Sequence, residues 1–203
     1  MTPSRDDVWV YLSARGLTRS ACAGGAAAWL LPLLVARFGV PLRGDARDLP
    51  AELDTMSVLA FVIPITAGLR LLDEGPPSLL RTRSRTFRTL RIGIVLAIFA
   101  QCAASAALIA WFAQLPGAHL IAVVLAQTAL GIIGSATLGS GRGWVLPGSL
   151  TLLATTPGLL PWEINASYNQ KLTAQMSVLA AVLIGFAAAA YLTWGLERAR
   201  LSI

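Results

Sequence analysis

Few side chains in this sequence are equipped for chemistry. His119 is the single histidine among 203 residues. A Ser–His dyad or a histidine metal site needs partners at fixed geometry, and none can be assigned, so His119 reads as an interfacial histidine at the end of a helix. Cys22 and Cys102 lie in or beside apolar runs, without metal spacing or a disulfide framework, and read as small packing residues. The segment Leu138–Gly143, LGSGRG, is glycine-rich. It lacks the Lys-Ser/Thr ending of a phosphate loop and precedes an apolar run. Asp45, Asp48, Glu52 and Asp54 cluster without the spacing of a calcium loop and read as a solvated loop. Asn165-Ala166-Ser167 matches a glycosylation sequon, which in a bacterial chain is a chance match. No catalytic constellation, metal site or cofactor site emerges, and the chain reads as no enzyme. What remains is a set of uncharged polar groups inside apolar runs: Gln101, Gln127, Thr151 and Thr155. They are the candidates for lining a pathway.

The elements that must hold these groups follow from composition. The chain is 56% hydrophobic and 13% charged, with a mean hydropathy of +0.68. A soluble domain carries about 25% charged residues, so too few remain to coat a soluble enzyme. Six apolar runs stand out, at about Ala21–Leu42, Leu53–Leu72, Ile92–Leu115, Gly117–Gly139, Trp144–Trp162 and Ala174–Leu196. About 20 apolar residues cross a bilayer as a helix. Only helices and closed barrels satisfy the backbone in lipid, and these runs lack the alternation of barrel strands. The expected fold is all-α and polytopic: a cytoplasmic interfacial segment over 1–19, then a domain of six transmembrane helices over 20–203. No Asp or Glu occupies the centre of a run, which argues against a proton-coupled transporter or a cation channel.

Charge orients the molecule. The net charge is +6, with 16 basic residues. In a soluble chain this balance would suggest nucleic acid; here it reads as cytoplasmic loops, with no nucleic-acid partner. A cytoplasmic N-terminus puts twelve cations inside: Arg5, Arg15, Arg19, Arg70, Arg81, Arg83, Arg85, Arg88, Arg91, Arg142, Arg198 and Arg200. Four stay outside: Arg37, Arg43, Arg47 and Lys171. That split predicts both termini inside. Trp9, Trp144 and Trp194 then fall near the inner interface and Trp111 and Trp162 near the outer one, while Trp29 reads as packing. Fifteen arginines to one lysine, with abundant Ala and Gly, suits a GC-rich bacterial coding sequence and hence a bacterial cytoplasmic membrane.

Four segments have features beyond crossing. Arg5–Arg19 mixes apolar residues with charges, as an interfacial helix does. The cytoplasmic loop 73–91 begins with Gly75, Pro76 and Pro77, which stop the second helix, and Ser78, which can cap another. Its basic surface of Arg81, Arg83, Arg85 and Arg88, with Phe87, serves either as an anchor on anionic lipid or as a docking surface for a cytoplasmic partner. The fourth run holds Gly131, Ser135 and Gly139 on one face, where small residues let helices approach closely, within the chain or between chains. The region 144–170 is broken by Pro147, Pro157 and Pro161; each internal proline frees a backbone carbonyl. It is followed by the polar stretch EINASYNQK, so a broken fifth helix and an outer re-entrant segment are expected.

The order of these segments resembles the permease subunit of type-two ATP-binding-cassette exporters. In that family a cytoplasmic interfacial helix precedes six crossings, a coupling helix lies between helices two and three, and a short re-entrant element lies between helices five and six. Arg5–Arg19, Ser78–Arg91 and Pro157–Asn169 occupy those places. The resemblance implies a separate cytoplasmic ATPase subunit, a homo- or hetero-oligomer with another membrane subunit, and outward movement of a hydrophobic or amphipathic substrate. The residues alone leave a second reading open: a non-transporting subunit that anchors or stabilises a larger membrane complex.

Overall fold

The computed structural model of the chain describes residues 19–38, 55–72, 85–156 and 159–201. Among these residues the regular structure is helical, with no strand. The eight α-helices are α1 (Arg19–Ala28), α2 (Leu30–Phe38), α3 (Thr55–Ala60), α4 (Val62–Leu69), α5 (Arg85–Ala113), α6 (Gly117–Leu138), α7 (Val145–Thr155) and α8 (Thr173–Leu201). Most of the expected N-terminal interfacial segment, the acidic cluster from Asp45 to Asp54, and the loop residues Arg81 and Arg83 lie outside the described residues.

Proline chemistry explains the first two runs, each of which forms two helices. Pro32 has no N–H for the carbonyl of Ala28, and its ring crowds that carbonyl. The helix breaks at Trp29, whose N–H turns to Ala26 O at 3.2 Å. Pro64 stands in the same relation to Ala60, and that run breaks at Phe61. The two break residues meet: the Trp29 and Phe61 rings pack edge to face, with centroids 6.0 Å apart. Such a pair contributes about 0.5–1.5 kcal/mol beyond its buried area.

Of the basic helix expected over Ser78–Arg91, the part before Arg85 lies outside the described residues. Helix α5 starts at Arg85 and continues without a break to Ala113. No proline interrupts Arg85–Ala113, and one glycine, Gly93, is tolerated in a helix. Arg85, Phe87 and Arg88 therefore belong to the first turns of the crossing helix itself.

Three stretches are long and apolar enough to span a bilayer: Arg91–Ala113, Gly117–Leu138 and Gln170–Thr193. At about 1.5 Å per residue, the 22 residues of α6 extend about 33 Å, which matches a hydrocarbon core of about 30 Å. Three shorter apolar helices accompany them, Ala23–Ala36, Val58–Leu69 and Val145–Thr155. The outer surfaces of α5 and α8 expose Leu96, Leu108, Phe112, Val178, Val182 and Phe186. Surfaces this apolar belong against lipid or another apolar face. The described fold is that of a helical membrane protein.

Helix α6 is the axis of the bundle, with fourteen of its 22 residues buried. It touches α4, α5, α7 and α8. Helix directions follow from who meets whom. Helix α2 touches α3 while α1 touches α4, so the first two runs are antiparallel. Helices α5 and α6 are joined by a tight turn at Gln114–Pro116, with Gln114 at φ +57°. His119 meets Thr173, so α6 and α8 start together and run parallel. Gln127 bonds both Val58 and Thr151, and Gly131 faces Leu69, which sets α3–α4 along α6 and α7 against it. Direction thus alternates through the six apolar runs. One large apolar cluster joins Phe61, Ile65 and Leu69 to α5, α6 and α8. A smaller one joins Val58, Ala122, Val123 and Ala126 to Tyr168, Met176 and Ala180.

Candidate functional site

The middle of α6 carries the bundle's central polar contact. Gln127 Nε2 donates to Thr151 Oγ1 at 2.9 Å and to Val58 O at 3.2 Å. One amide thereby ties three runs together. Its Oε1 is buried without a partner, and an orphaned buried acceptor costs about 1–3 kcal/mol. Thr155 lies one turn beyond Thr151, half-buried, with its hydroxyl donating to Leu152 O at 2.7 Å. Gln101 is not part of this group; it is exposed on α5. Of the four polar residues singled out in the sequence, Gln127 and Thr151 are in contact, Thr155 is their neighbour and Gln101 faces elsewhere.

At the Leu138 end, backbones approach closely. A Cβ on Gly143 would collide with Ser135 Oγ and lie 3.0 Å from Gly131 O. A Cβ on Gly134 would come within 2.8 Å of Gly143 O, and one on Gly131 within 2.5 Å of Leu69 Cδ1. Gly131 and Ser135 therefore pack against their own chain, namely α4 and the turn into α7. Ser135 Oγ is buried there without a partner. Gly139 has a different task. It ends α6 at φ +95°, a conformation glycine adopts freely, and its N–H caps Ser135 O at 3.1 Å. The glycine-rich stretch is thus a packing turn. Gly134 was not singled out in the sequence, and Gly143 stood there only as the end of the glycine-rich stretch 138–143.

At the opposite end, the fifth run stops after 11 helical residues, at Thr155. That is about 16 Å of rise, half of what α6 spans. Pro147 sits in the first turn of α7, where an N–H has no helical partner to lose. Over 159–172 the chain forms a strap without α-helix, with single 3-10 helical turns at Trp162–Ile164 and Gln170–Leu172. Its backbone is bonded internally: Tyr168 and Asn169 N–H donate to Asn165 O at 3.1 and 2.9 Å. Asn165 Nδ2 donates to Ala154 O at 2.8 Å, capping one of the carbonyls that the end of α7 leaves open. That nitrogen is the one a glycan would occupy, so the sequon is committed to structure.

His119 locks the strap to the bundle. It is 1% exposed and has two hydrogen-bond partners, which the sequence did not assign. Nε2 stands 3.3 Å from Ser167 O and Nδ1 3.1 Å from Thr173 Oγ1. A carbonyl only accepts, so Nε2 carries the proton. The Thr173 hydroxyl, 2.6 Å from Gln170 O, is shared with Nδ1. Partners 48 and 54 residues away leave no local signature in the sequence. Tyr168 is buried in the smaller apolar cluster beneath the strap, while Leu159, Leu160, Glu163, Ile164 and Lys171 are exposed.

Among the described residues no group of three or more His, Cys, Asp or Glu is placed to hold a metal ion. The arrangement positions and packs; its polar atoms are amides, hydroxyls and one imidazole, bonded to each other across helices. No family model, no curated protein and no solved structure matches the chain.

Proposed function

We propose that this chain is the permease subunit of an ATP-driven exporter in a bacterial cytoplasmic membrane. It crosses six times with both termini inside and moves a hydrophobic or amphipathic substrate outward. The observation that carries the reading is the fate of the fifth run. Its helix stops half-way, and the chain returns as a capped strap at the end away from α1 and from the end of α8. Non-helical backbone at membrane depth is tolerated where it packs on protein or lines a cavity, and a broken fifth helix with an outer re-entrant element is the mark of type-two exporter permeases. The alternating direction of the six runs supports the same topology.

On this reading a separate ATPase docks beneath the membrane on Ser78–Arg91, through Arg81, Arg83, Arg85, Phe87 and Arg88. Because α5 begins at Arg85, movement of that surface passes directly into a spanning helix. Gln127 and Thr151 stand where α7 would part from α3 and α6, and the unpartnered amide oxygen of Gln127 offers an acceptor to a passing substrate hydroxyl or amine. Thr155 continues that line outward. A second reading, the non-transporting anchor subunit, draws on one observation: the central polar groups are bonded to one another across three runs, as in a rigid scaffold.

Affinity purification from native membranes, with the products of neighbouring genes, separates the two. The exporter reading expects an ATPase polypeptide to co-purify, and Arg83→Glu with Arg85→Glu to reduce its recovery. A complex without an ATPase supports the anchor reading. ATPase recovery unchanged by the charge reversals removes the docking role of the basic surface.

A further inference from the structure

The geometry points to a binding site for one neutral hydroxyl group between Gln127 and Thr151. The orientation of the Gln127 amide is set by its neighbours. Val58 O lies 3.2 Å away and only accepts, so the amide atom facing it is Nε2 and not Oε1. The second proton of Nε2 goes to Thr151 Oγ1 at 2.9 Å. Both donors of the amide are spent, while its acceptor, Oε1, is buried without a partner. The Thr151 hydroxyl stands in the converse position. Its oxygen accepts from Gln127, so its proton points elsewhere, and among the described residues that proton reaches no acceptor. Other hydroxyls of these helices close onto their own backbone: Thr128 donates to Val124 O, Thr137 to Ile133 O, and Thr155 and Thr156 to Leu152 O. Thr151 departs from that pattern.

One acceptor and one donor are thus left over, side by side. Gln127 and Thr151 are each 5% exposed. Ten residues precede Gln127 in α6 and eleven follow it, which puts the pair at mid-depth of the span, where an unsatisfied polar atom is costly. The covalent geometry of the amide keeps Oε1 within about 5 Å of Thr151 Oγ1. A single oxygen at an ordinary hydrogen-bond distance of about 2.8 Å reaches both atoms.

The pair selects its ligand by chemistry. A hydroxyl donates to Oε1 and accepts from Thr151, satisfying both. An ammonium group has no lone pair for the Thr151 proton, and a carboxylate or ether has no proton for Oε1. A site built around a hydroxyl rejects analogues that leave its buried polar groups unpaired, and the charged ones also lose hydration at this depth. Two sources carry the required chemistry: a water molecule, for which two polar partners suffice, and an alcohol dissolved in the lipid. Thr155, one turn along α7 and half-buried, lies on the way to the strap. The inference deepens the exporter reading and rests on it for calling a bound alcohol a substrate; the site itself rests only on the contact among α3, α6 and α7.

The test uses the full chain in phospholipid nanodiscs. Three photolabels share an eight-carbon, diazirine-bearing chain and differ only in head group: an alcohol, an ammonium and a carboxylate. Labelled positions are mapped by mass spectrometry, and magnetisation transfer from water to the Gln127 side-chain amide is followed by solid-state NMR. The alcohol should label α6 and α7 beside Gln127 and Thr151 in preference to the two charged probes. Thr151→Val should weaken that labelling about three- to thirtyfold, the effect of one hydrogen bond in a membrane, and Thr151→Ser should restore it. Selective labelling by the alcohol assigns the site to an exchangeable alcohol. Water transfer that Thr151→Val abolishes, with no labelling at these positions, assigns it to a resident water. Equal labelling by the three head groups overturns the inference, as does a signal unchanged in Thr151→Val, or the absence of both labelling and transfer. ATPase recovery from the same membranes keeps the two ideas apart: an ATPase bound to a chain without hydroxyl selectivity sinks only the site, and a hydroxyl-selective chain without an ATPase sinks only the exporter.

Discussion

Replacing Gly143 by alanine tests the packing of the Leu138 end at the scale of one methyl group. The added Cβ meets Ser135 Oγ and comes within 3.0 Å of Gly131 O and 3.2 Å of Leu69 Cδ1. The serine hydroxyl can rotate and the leucine can change rotamer, but the Gly131 carbonyl belongs to the backbone of the central helix and cannot give way. Extra volume in a packed interior costs about 1–3 kcal/mol. For a chain of this size each kcal/mol lowers the melting temperature by about 2–4 °C, so Gly143→Ala should melt roughly 2–12 °C lower. Gly185→Ala is the control, because a Cβ there meets nothing within 4 Å and alanine favours helix over glycine by about 1 kcal/mol. Gly134→Ala approaches Gly143 O at 2.8 Å, so it opens the same contact from the other side. The double substitution should then cost less than the sum of the singles. Thermal unfolding in detergent micelles reads all four variants. Equal melting of Gly143→Ala and Gly185→Ala would refute the close contact between the turn and α6.

Three further substitutions address other parts of the fold. His119→Phe removes the donor to Ser167 O, leaving that carbonyl unsatisfied at about 1–3 kcal/mol; amide hydrogen exchange over 163–172 should quicken while the centre of α5 stays protected, and equal protection in both proteins contradicts the lock. Asn165→Ala leaves the Ala154 carbonyl uncapped at a similar cost, and protease should cut the strap faster. Unchanged cleavage would mean that the cap contributes nothing. Pro64→Ala restores an N–H opposite Ala60 O, so the new amide at position 64 should be protected from exchange as the kink closes; an exchanging amide would show that something other than proline breaks this run.

The apolar runs and the breaking of the fifth were legible because both rest on local physics. Hydrophobic length predicts a spanning helix, and the fifth run's helix ends at Thr155, just before Pro157 and Pro161, whereas Pro147 sits in its first turn and breaks nothing. The kinks at Trp29 and Phe61 were legible in principle from Pro32 and Pro64, four residues after Ala28 and Ala60. The unbroken path from Arg85 into the third apolar run was not read from the sequence, because a hydropathy reading assigns the basic stretch 85–91 to a loop and starts the crossing at Ile92. The partners of His119, Ser167 and Thr173, were not legible because they are distant in sequence and adjacent only through the parallel packing of α6 and α8. Gln101 and Gln127 look alike as residues in apolar runs. Only the bundle shows that one points to the interior and the other away from it.

The topology is tested most directly by paired reporter fusions at residue 85 and residue 163, one reporter active only in the cytoplasm and the other only outside. Six alternating crossings predict a cytoplasmic signal at 85, where the basic surface meets α5, and an external signal at 163, in the strap. A cytoplasmic signal at 163, or an external one at 85, would contradict the six alternating crossings and remove the basis for export.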